Sequence, residues 1–171
     1  MIDNRDIDAV ILANGDYPTA PRPLDILHNS PLVVCCDGGA DNYIAAEGVP
    51  DIIIGDGDSL SAENRARFSS IIIYQPDQQT NDQTKAVRWA ISNIEDIEYI
   101  CILGATGGRP EHTVGNAGLL MEYTRMFDLE GRGIMMESVS DFGTMFAVTD
   151  TVSLDCGEGR QISIFSPDNT L

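Results

Sequence analysis

Short apolar runs alternate with helix-like segments over roughly the first hundred residues, and this alternation narrows the possible folds more than any other feature. The runs lie at residues 9–13, 32–36, 51–54, 71–74 and 99–103. Stretches 24–28, 40–47, 61–68 and 80–94 read as the helices between them, and 113–127 as a helix after the fifth. The segment 80–94 has the clearest helical pattern. Val87, Ala90, Ile91 and Ile94 recur at helical spacing, and Thr80 with Gln83 forms a capping-box pattern. In 113–127 the apolar positions are Val114, Ala117, Leu120 and Met121. Strands and helices in strict alternation predict an α/β domain, a mostly parallel sheet with helices on both faces.

The pattern changes after residue 130. Segments 134–139, 145–148, 152–154 and 161–165 read as short strands separated by turns, with no helix. The expected division is therefore 1–130 as a Rossmann-like domain and 131–171 as linking strands that begin a C-terminal antiparallel β-sandwich. The strands are too few for a sandwich. This second unit is expected to be completed by another chain or cut short at Leu171.

Composition excludes several classes of function. With 27 acidic and 10 basic residues the formal net charge is −17, and no basic stripe is visible. This argues against nucleic-acid binding by phosphate neutralisation. A phosphate-rich ligand would need divalent cations or a few well-placed basic side chains. Cys35, Cys36 and Cys101 sit in apolar runs and read as small buried hydrophobes; with Cys156, none forms a C-x-x-C pair. That usage fits a reducing cytoplasm. The acidic N-terminus does not read as a signal peptide, and no stretch approaches the roughly 18 apolar residues of a membrane span.

In open parallel sheets, ligands bind beyond the carboxyl ends of the strands. Two such ends carry aspartates: Asp37, followed by Gly38 and Gly39, and the pair Asp56 and Asp58. Residues two apart in an extended stretch point to one side, so Asp56 and Asp58 can converge on one cation. Oxygen donors of this kind suit Mg²⁺. The competing explanation is that Asp and Gly simply favour turns. Asp82 and Lys85 share one face of the 80–94 helix. Asp82 either joins the acids or offsets the helix dipole; Lys85 either reaches a phosphate or is a solvated charge. The glycine-rich segment from Gly104 through Thr106, Gly107, Gly108 and Arg109 to Glu111 and His112 lies between a strand and a helix. Its backbone can approach a phosphate, and Arg109 offers a bidentate fork. It matches neither a Walker A motif nor a dinucleotide fingerprint.

Together these segments resemble the thiamine pyrophosphokinase family. Four blocks carry the likeness: Cys36-Asp37-Gly38-Gly39-Ala40; Pro50-Asp51 through Gly55-Asp56-Gly57-Asp58-Ser59-Leu60; Asn81-Asp82 through Lys85-Ala86; and Gly104 through Arg109, Glu111, His112 and Asn116. The resemblance implies transfer of a pyrophosphoryl group from Mg-ATP to the hydroxyl of thiamine, giving thiamine diphosphate and AMP, in a homodimer. It implies that Asp37, Asp56, Asp58 and Asp82 are magnesium and phosphate-site acids and that Lys85 and Arg109 are phosphate contacts. Asn14, Gly15, Gly38, Gly39, Thr106, Gly107, Gly108, Glu111, His112 and Asn116 then fall near the nucleotide. The chain departs from the family pattern at three places. Gln79 stands for an Asp, Gly57 for a Phe, and Glu111 for an Asp. Transfer to another small alcohol, or nucleotide binding without turnover, remain alternative readings.

Overall fold

In the computed structural model, which describes residues 6–166, the apolar runs become the strands of one sheet. In chain order the elements are β1 (Ala9–Leu12), α1 (Pro21–Asn29), β2 (Val33–Cys36), α2 (Gly39–Ala45), β3 (Ile52–Gly55), α3 (Ala62–Arg67), β4 (Ile72–Tyr74), α4 (Asp82–Asn93), β5 (Tyr99–Leu103), α5 (Pro110–Met126), β6 (Met135–Val139) and β7 (Thr144–Met145). The strand order is β4-β3-β2-β1-β5-β6-β7, parallel except for β7.

The chain winds outward from β1 in both directions. The steps β1 to β4 run one way and β5 to β6 the other, so right-handed crossovers place α1 to α3 on one face and α4 and α5 on the opposite one. Alternate residues along the strands divide accordingly. Val10, Leu12, Val33, Cys35, Ile53, Cys101 and Leu103 pack with Leu27 of α1 and Ala40 and Tyr43 of α2. Ile11, Val34, Cys36, Ile54, Ile100 and Ile102 pack with Ala86, Val87, Ala90 and Ile91 of α4 and Leu120 and Tyr123 of α5. The three strand cysteines are thus buried core residues, and burial pushes their thiols well above the ordinary range.

Several expectations are corrected. The capping box does not form: Asn81 caps α4, its side chain accepting from the Thr84 N–H at 2.9 Å. Thr80 turns back to Asp77, and Gln83 is buried against Tyr123. The cap shifts by one residue, from Thr80 to Asn81, and the helix begins at Asp82. Helix α5 begins three residues early, at Pro110, whose missing N–H costs nothing there. Its expected apolar position Val114 is exposed, and the buried stripe runs through Leu120 and Tyr123.

The largest difference concerns the C-terminal strands. Residues 135–139 do not open a separate β-unit; β6 extends the parallel sheet beside β5. Only Thr144 and Met145 remain of the 145–148 expectation. Segments 152–154 and 161–165 form no strand, and Ile162, Ile164 and Phe165 lie exposed. Alternating apolar residues specify a strand only where an edge offers hydrogen-bond partners. Among the described residues the β7 edge is two residues long.

Polar groups fasten the β6–β7 turn to α1. The N-cap position of α1, Ala20, has no capping side chain of its own. Asp141 fills this role from the turn, accepting from the Thr19 and Ala20 N–H groups at 3.0 Å each. Arg22 donates to Thr144 at 2.7 Å and to Glu137 at 3.2 Å. Glu137 is 1% exposed, so Arg22 is the charge that compensates it. Arg22→Ala should therefore lower stability by about 2 kcal/mol, the scale of a hydrogen bond to a charged group. Urea denaturation measures this, and Thr144→Val should cost less than half as much.

Candidate active site

Parallel pairing brings the carboxyl ends of β1, β2, β3 and β5 to one edge at nearly the same level. Leu12 stands beside Cys35 and Leu103, and Cys36 beside Ile54. The residues that follow each strand therefore meet. Asp37, Asp56 and Asp58 each offer a carboxylate oxygen within 4.8 Å of the others. Turn preference alone would scatter such side chains; here two strand ends aim them at one point.

Asp37 is the buried member, 3% exposed, in a left-handed backbone conformation at φ 37°. Non-glycine residues occupy that region at a cost. The conformation is held from several sides. The Asp37 N–H extends the ladder to the Ile54 carbonyl, its own carbonyl accepts from Ala40, and its Oδ2 accepts the Ser59 N–H at 2.8 Å. Burial pushes its pKa up, and the charges of Asp82 and Asp56 add to this against the opposing Ser59 hydrogen bond. Asp56 accepts from Gln78 at 2.7 Å and from the Asp58 N–H at 3.2 Å, which hold it below the usual range. The neighbouring Asp56 carboxylate in turn raises Asp58.

Two glycines shape this loop. A Cβ on Gly55 would lie 2.7 Å from the Asp37 Cβ and 3.3 Å from Asp82 Oδ2, so glycine lets the two acids flank one strand end. Gly57 has φ 83°, a conformation that the phenylalanine of the family pattern would resist. Arg65 donates to the carbonyls of Gly57 and Leu60, the latter at 3.0 Å. Asp41 of α2 takes Ser61 and Asn64 at 2.6–2.8 Å, fixing the start of α3.

Lys85 is 3% exposed and ion-paired with Asp82 at 2.9 Å. It is therefore not a solvated charge; its ammonium is the buried cation beside the acids and lowers the pKa of Asp56. Asp82 stands at the start of α4 next to Gly55, adjacent to the group of three rather than within it.

The second wall is the loop between β5 and α5. The Gly15 and Asp16 N–H groups bond to the Gly104 and Thr106 carbonyls at 2.8 Å, tying the β1 loop to it. Asn14 lies against Gly38, its Nδ2 2.6 Å from where a Cβ there would stand. Gly39 opens α2. Arg109, Glu111 and His112 gather at the exposed start of α5, where Arg109 contacts His112 and pairs with Glu111 at 3.2 Å. Neither Glu111 nor His112 joins the carboxylate group. Between the β1 loop, Gly104, Thr106 and the β6–β7 turn lies a cleft of about 350 Å³, with the exposed ring of Phe142 at its rim.

In the sequence, Ser59 and Asn81 stand in the resembling blocks without a role and Gln78 is not singled out; the structure has them orient the acids or cap α4. Ser59 acts through its backbone N–H, which carries no sequence signal. Asn81 is of a residue type that caps helices, but the capping-box pattern put the cap at Thr80.

Three convergent carboxylates stand beside a buried lysine at the carboxyl edge of a doubly wound sheet, an α/β arrangement whose acids could hold a divalent cation. An oxygen-only donor set of this kind would suit a hard divalent cation such as Mg²⁺. Comparison with known proteins gives the family. The family model for "Thiamin pyrophosphokinase, catalytic domain" matches residues 24–130, and the chain belongs to that family. It is 31% identical over 142 residues to thiamine pyrophosphokinase 1 of Oryza sativa subsp. japonica, covering 69% of this chain and 53% of that protein. It is 31% identical over 114 residues to thiamine pyrophosphokinase of Bacillus subtilis, covering 64% and 52%. The chain thus spans about half the length of these curated relatives. Thiamin pyrophosphokinase from Candida albicans superposes with a TM-score of 0.63 at 19% identity, covering 79% of this chain and 58% of that one. The enzyme from Geobacillus thermodenitrificans gives 0.60 at 25% identity, covering 78% and 59%.

The raised pKa of Asp37 has a pH consequence. Above the ordinary value of 3.8 and below its own, the folded chain binds this proton more tightly than the unfolded chain. Stability from this group is therefore greatest in acid and declines as pH rises through that window. Without divalent cation, Asp37→Asn should melt higher than the wild type at pH 7, with the difference shrinking toward pH 4 in scanning calorimetry.

Proposed function

We propose that this chain is the nucleotide-handling part of a thiamine pyrophosphokinase, transferring pyrophosphate from Mg-ATP to thiamine. The observation that carries the reading is the convergence of Asp37, Asp56 and Asp58 beside the buried Lys85–Asp82 pair, in a member of this family. The bond formed joins the hydroxyethyl oxygen of thiamine to the β-phosphorus of ATP. The bond broken joins that phosphorus to the oxygen bridging to the α-phosphorus, and AMP leaves.

Such transfers depend on positioning and charge neutralisation more than on covalent chemistry. Mg²⁺ bound by Asp37, Asp56 and Asp58 would supply neutralisation of the phosphate oxygens. Lys85 supplies a second positive charge from a desolvated position, where it acts more strongly than in water. The Gly104–Gly108 loop offers backbone N–H groups, and Arg109, exposed at its end, would leave its surface pairing with Glu111 to reach phosphate. Asp58, the exposed member of the three, or Asp82 would accept the hydroxyl proton of thiamine. Thiamine is a cation, and the acidic surroundings favour its approach.

Strands β6 and β7 belong to the catalytic sheet, so the thiamine-side role expected of 131–171 falls, in this reading, to the residues after Met145. That segment would lead from the catalytic sheet toward a thiamine-binding β-unit, with the enzyme acting as a cytoplasmic homodimer.

Incubation with Mg-ATP and thiamine should yield AMP and thiamine diphosphate in equal amounts. Formation of ADP would point instead to single-phosphoryl transfer and count against the proposal. Asp56→Asn should reduce turnover by roughly 100-fold or more, the scale of losing a preorganised charge-stabilising group, with an unchanged circular dichroism spectrum. In the same preparations, millimolar Mg²⁺ should raise the melting temperature of the wild type and leave that of Asp56→Asn unmoved.

A further inference from the structure

The two walls of the site come from separate elements. Asp82 and Lys85 stand on the first turns of α4, whereas the glycine loop and Arg109 precede α5. A polyphosphate gripped by both requires a fixed gap between them. One continuous run of side-chain hydrogen bonds spans that gap.

The run begins in the core and has a defined direction. Gln83 donates to the hydroxyl of Tyr123, a fully buried residue of α5. The Thr84 hydroxyl lies 2.8 Å from that oxygen and itself donates to Asn81 Oδ1 at 2.7 Å, so Tyr123 donates to Thr84. Asn81 Oδ1 also accepts the Thr84 N–H. With its oxygen so occupied, Asn81 presents Nδ2 outward and donates to Asn116 Oδ1 at 3.1 Å. Asn116 Nδ2 donates to the Ala105 carbonyl, inside the glycine loop, at 2.8 Å. Both amides have their orientation fixed by backbone partners: Asn81 by the cap, Asn116 by the loop. Their remaining groups are complementary only in this arrangement.

We propose that Asn81 and Asn116 are a positioning pair that sets the distance between the α4 wall and the glycine loop for a bound polyphosphate; this rests on the nucleotide reading above. Asn116 then acts through the loop rather than by touching the ligand. Asn81 does two separable things: it caps α4, and it spans to α5.

Serine separates them. Asn81→Ser keeps an oxygen to accept the Thr84 N–H, and serine caps helices as well as asparagine does. It loses only the donor to Asn116. Asn116→Ala breaks the same run from the other side, removing both the acceptor for Asn81 and the donor to the Ala105 carbonyl. The probe is α,β-methylene ATP with Mg²⁺, which cannot be cleaved at the bond in question, titrated by calorimetry. Each single variant should bind about fivefold more weakly, the value of one neutral hydrogen bond, and the double variant no worse than either. Melting temperatures should stay within about 3 °C of the wild type, since the cap survives. Independent losses multiplying to about 25-fold in the double variant would overturn the proposal, as would single variants that bind like the wild type.

Hydrogen exchange provides a readout without ligand. Asn81→Ser, a change on α4, should accelerate amide exchange about fivefold in residues 104–109. Unchanged exchange there would overturn the link. If the wild type fails to bind the probe, the nucleotide reading falls, and exchange still decides whether the pair holds the loop.

Discussion

Parallel pairing of β1 to β6 governs everything that follows, because it forces each strand's carboxyl end to the same edge. Crossover helices must return the chain to the opposite edge before each new strand, so the loops bearing Asp37, Asp56, Asp58, Gly104 and Arg109 cannot avoid one another. Their meeting point lies near β1, where the winding direction reverses and neighbouring loops diverge to leave a crevice. The register keeps the strand ends level, and Gly55 allows the backbone of β3 to pass between Asp37 and Asp82 without a side chain intervening.

This gathering has an electrostatic cost. Four carboxylates crowd one strand edge with a single buried lysine among them, and Asp37 responds by holding its proton more tightly than usual. The surrounding structure offsets the strain with backbone donors: the Ser59 N–H on Asp37 and the Asp58 N–H on Asp56. Acids so crowded are poorly satisfied by one another, and a cationic ligand would relieve them.

The acidic group and the alternation of elements were largely legible in the residues because each depends on local signals: short apolar runs, Asp-Gly steps after them, and helical spacing in 80–94. The start of that helix was misjudged because the capping-box pattern put the cap at Thr80, whereas Asn81 accepts the Thr84 N–H and is held further by Asn116 on another helix. Lys85 could equally have been solvent-exposed; its burial depends on α4 lying across β1 to β3, a long-range packing fact. The strand-like residues 161–165 show the opposite failure, a local pattern with no partner among the described residues to complete it.

What the chain's own order of residues determined was the class of fold and the identity of the acids, since periodicity and turn chemistry act over a few neighbours. What only the folded molecule decided was distance. That β6 joins the first sheet, that Asp141 caps a helix near the other end of the chain, and that Asn116 spans to Asn81 all depend on which elements become neighbours. Neighbourhood is set by crossover handedness and packing summed over the whole sheet, and no short stretch of sequence encodes either.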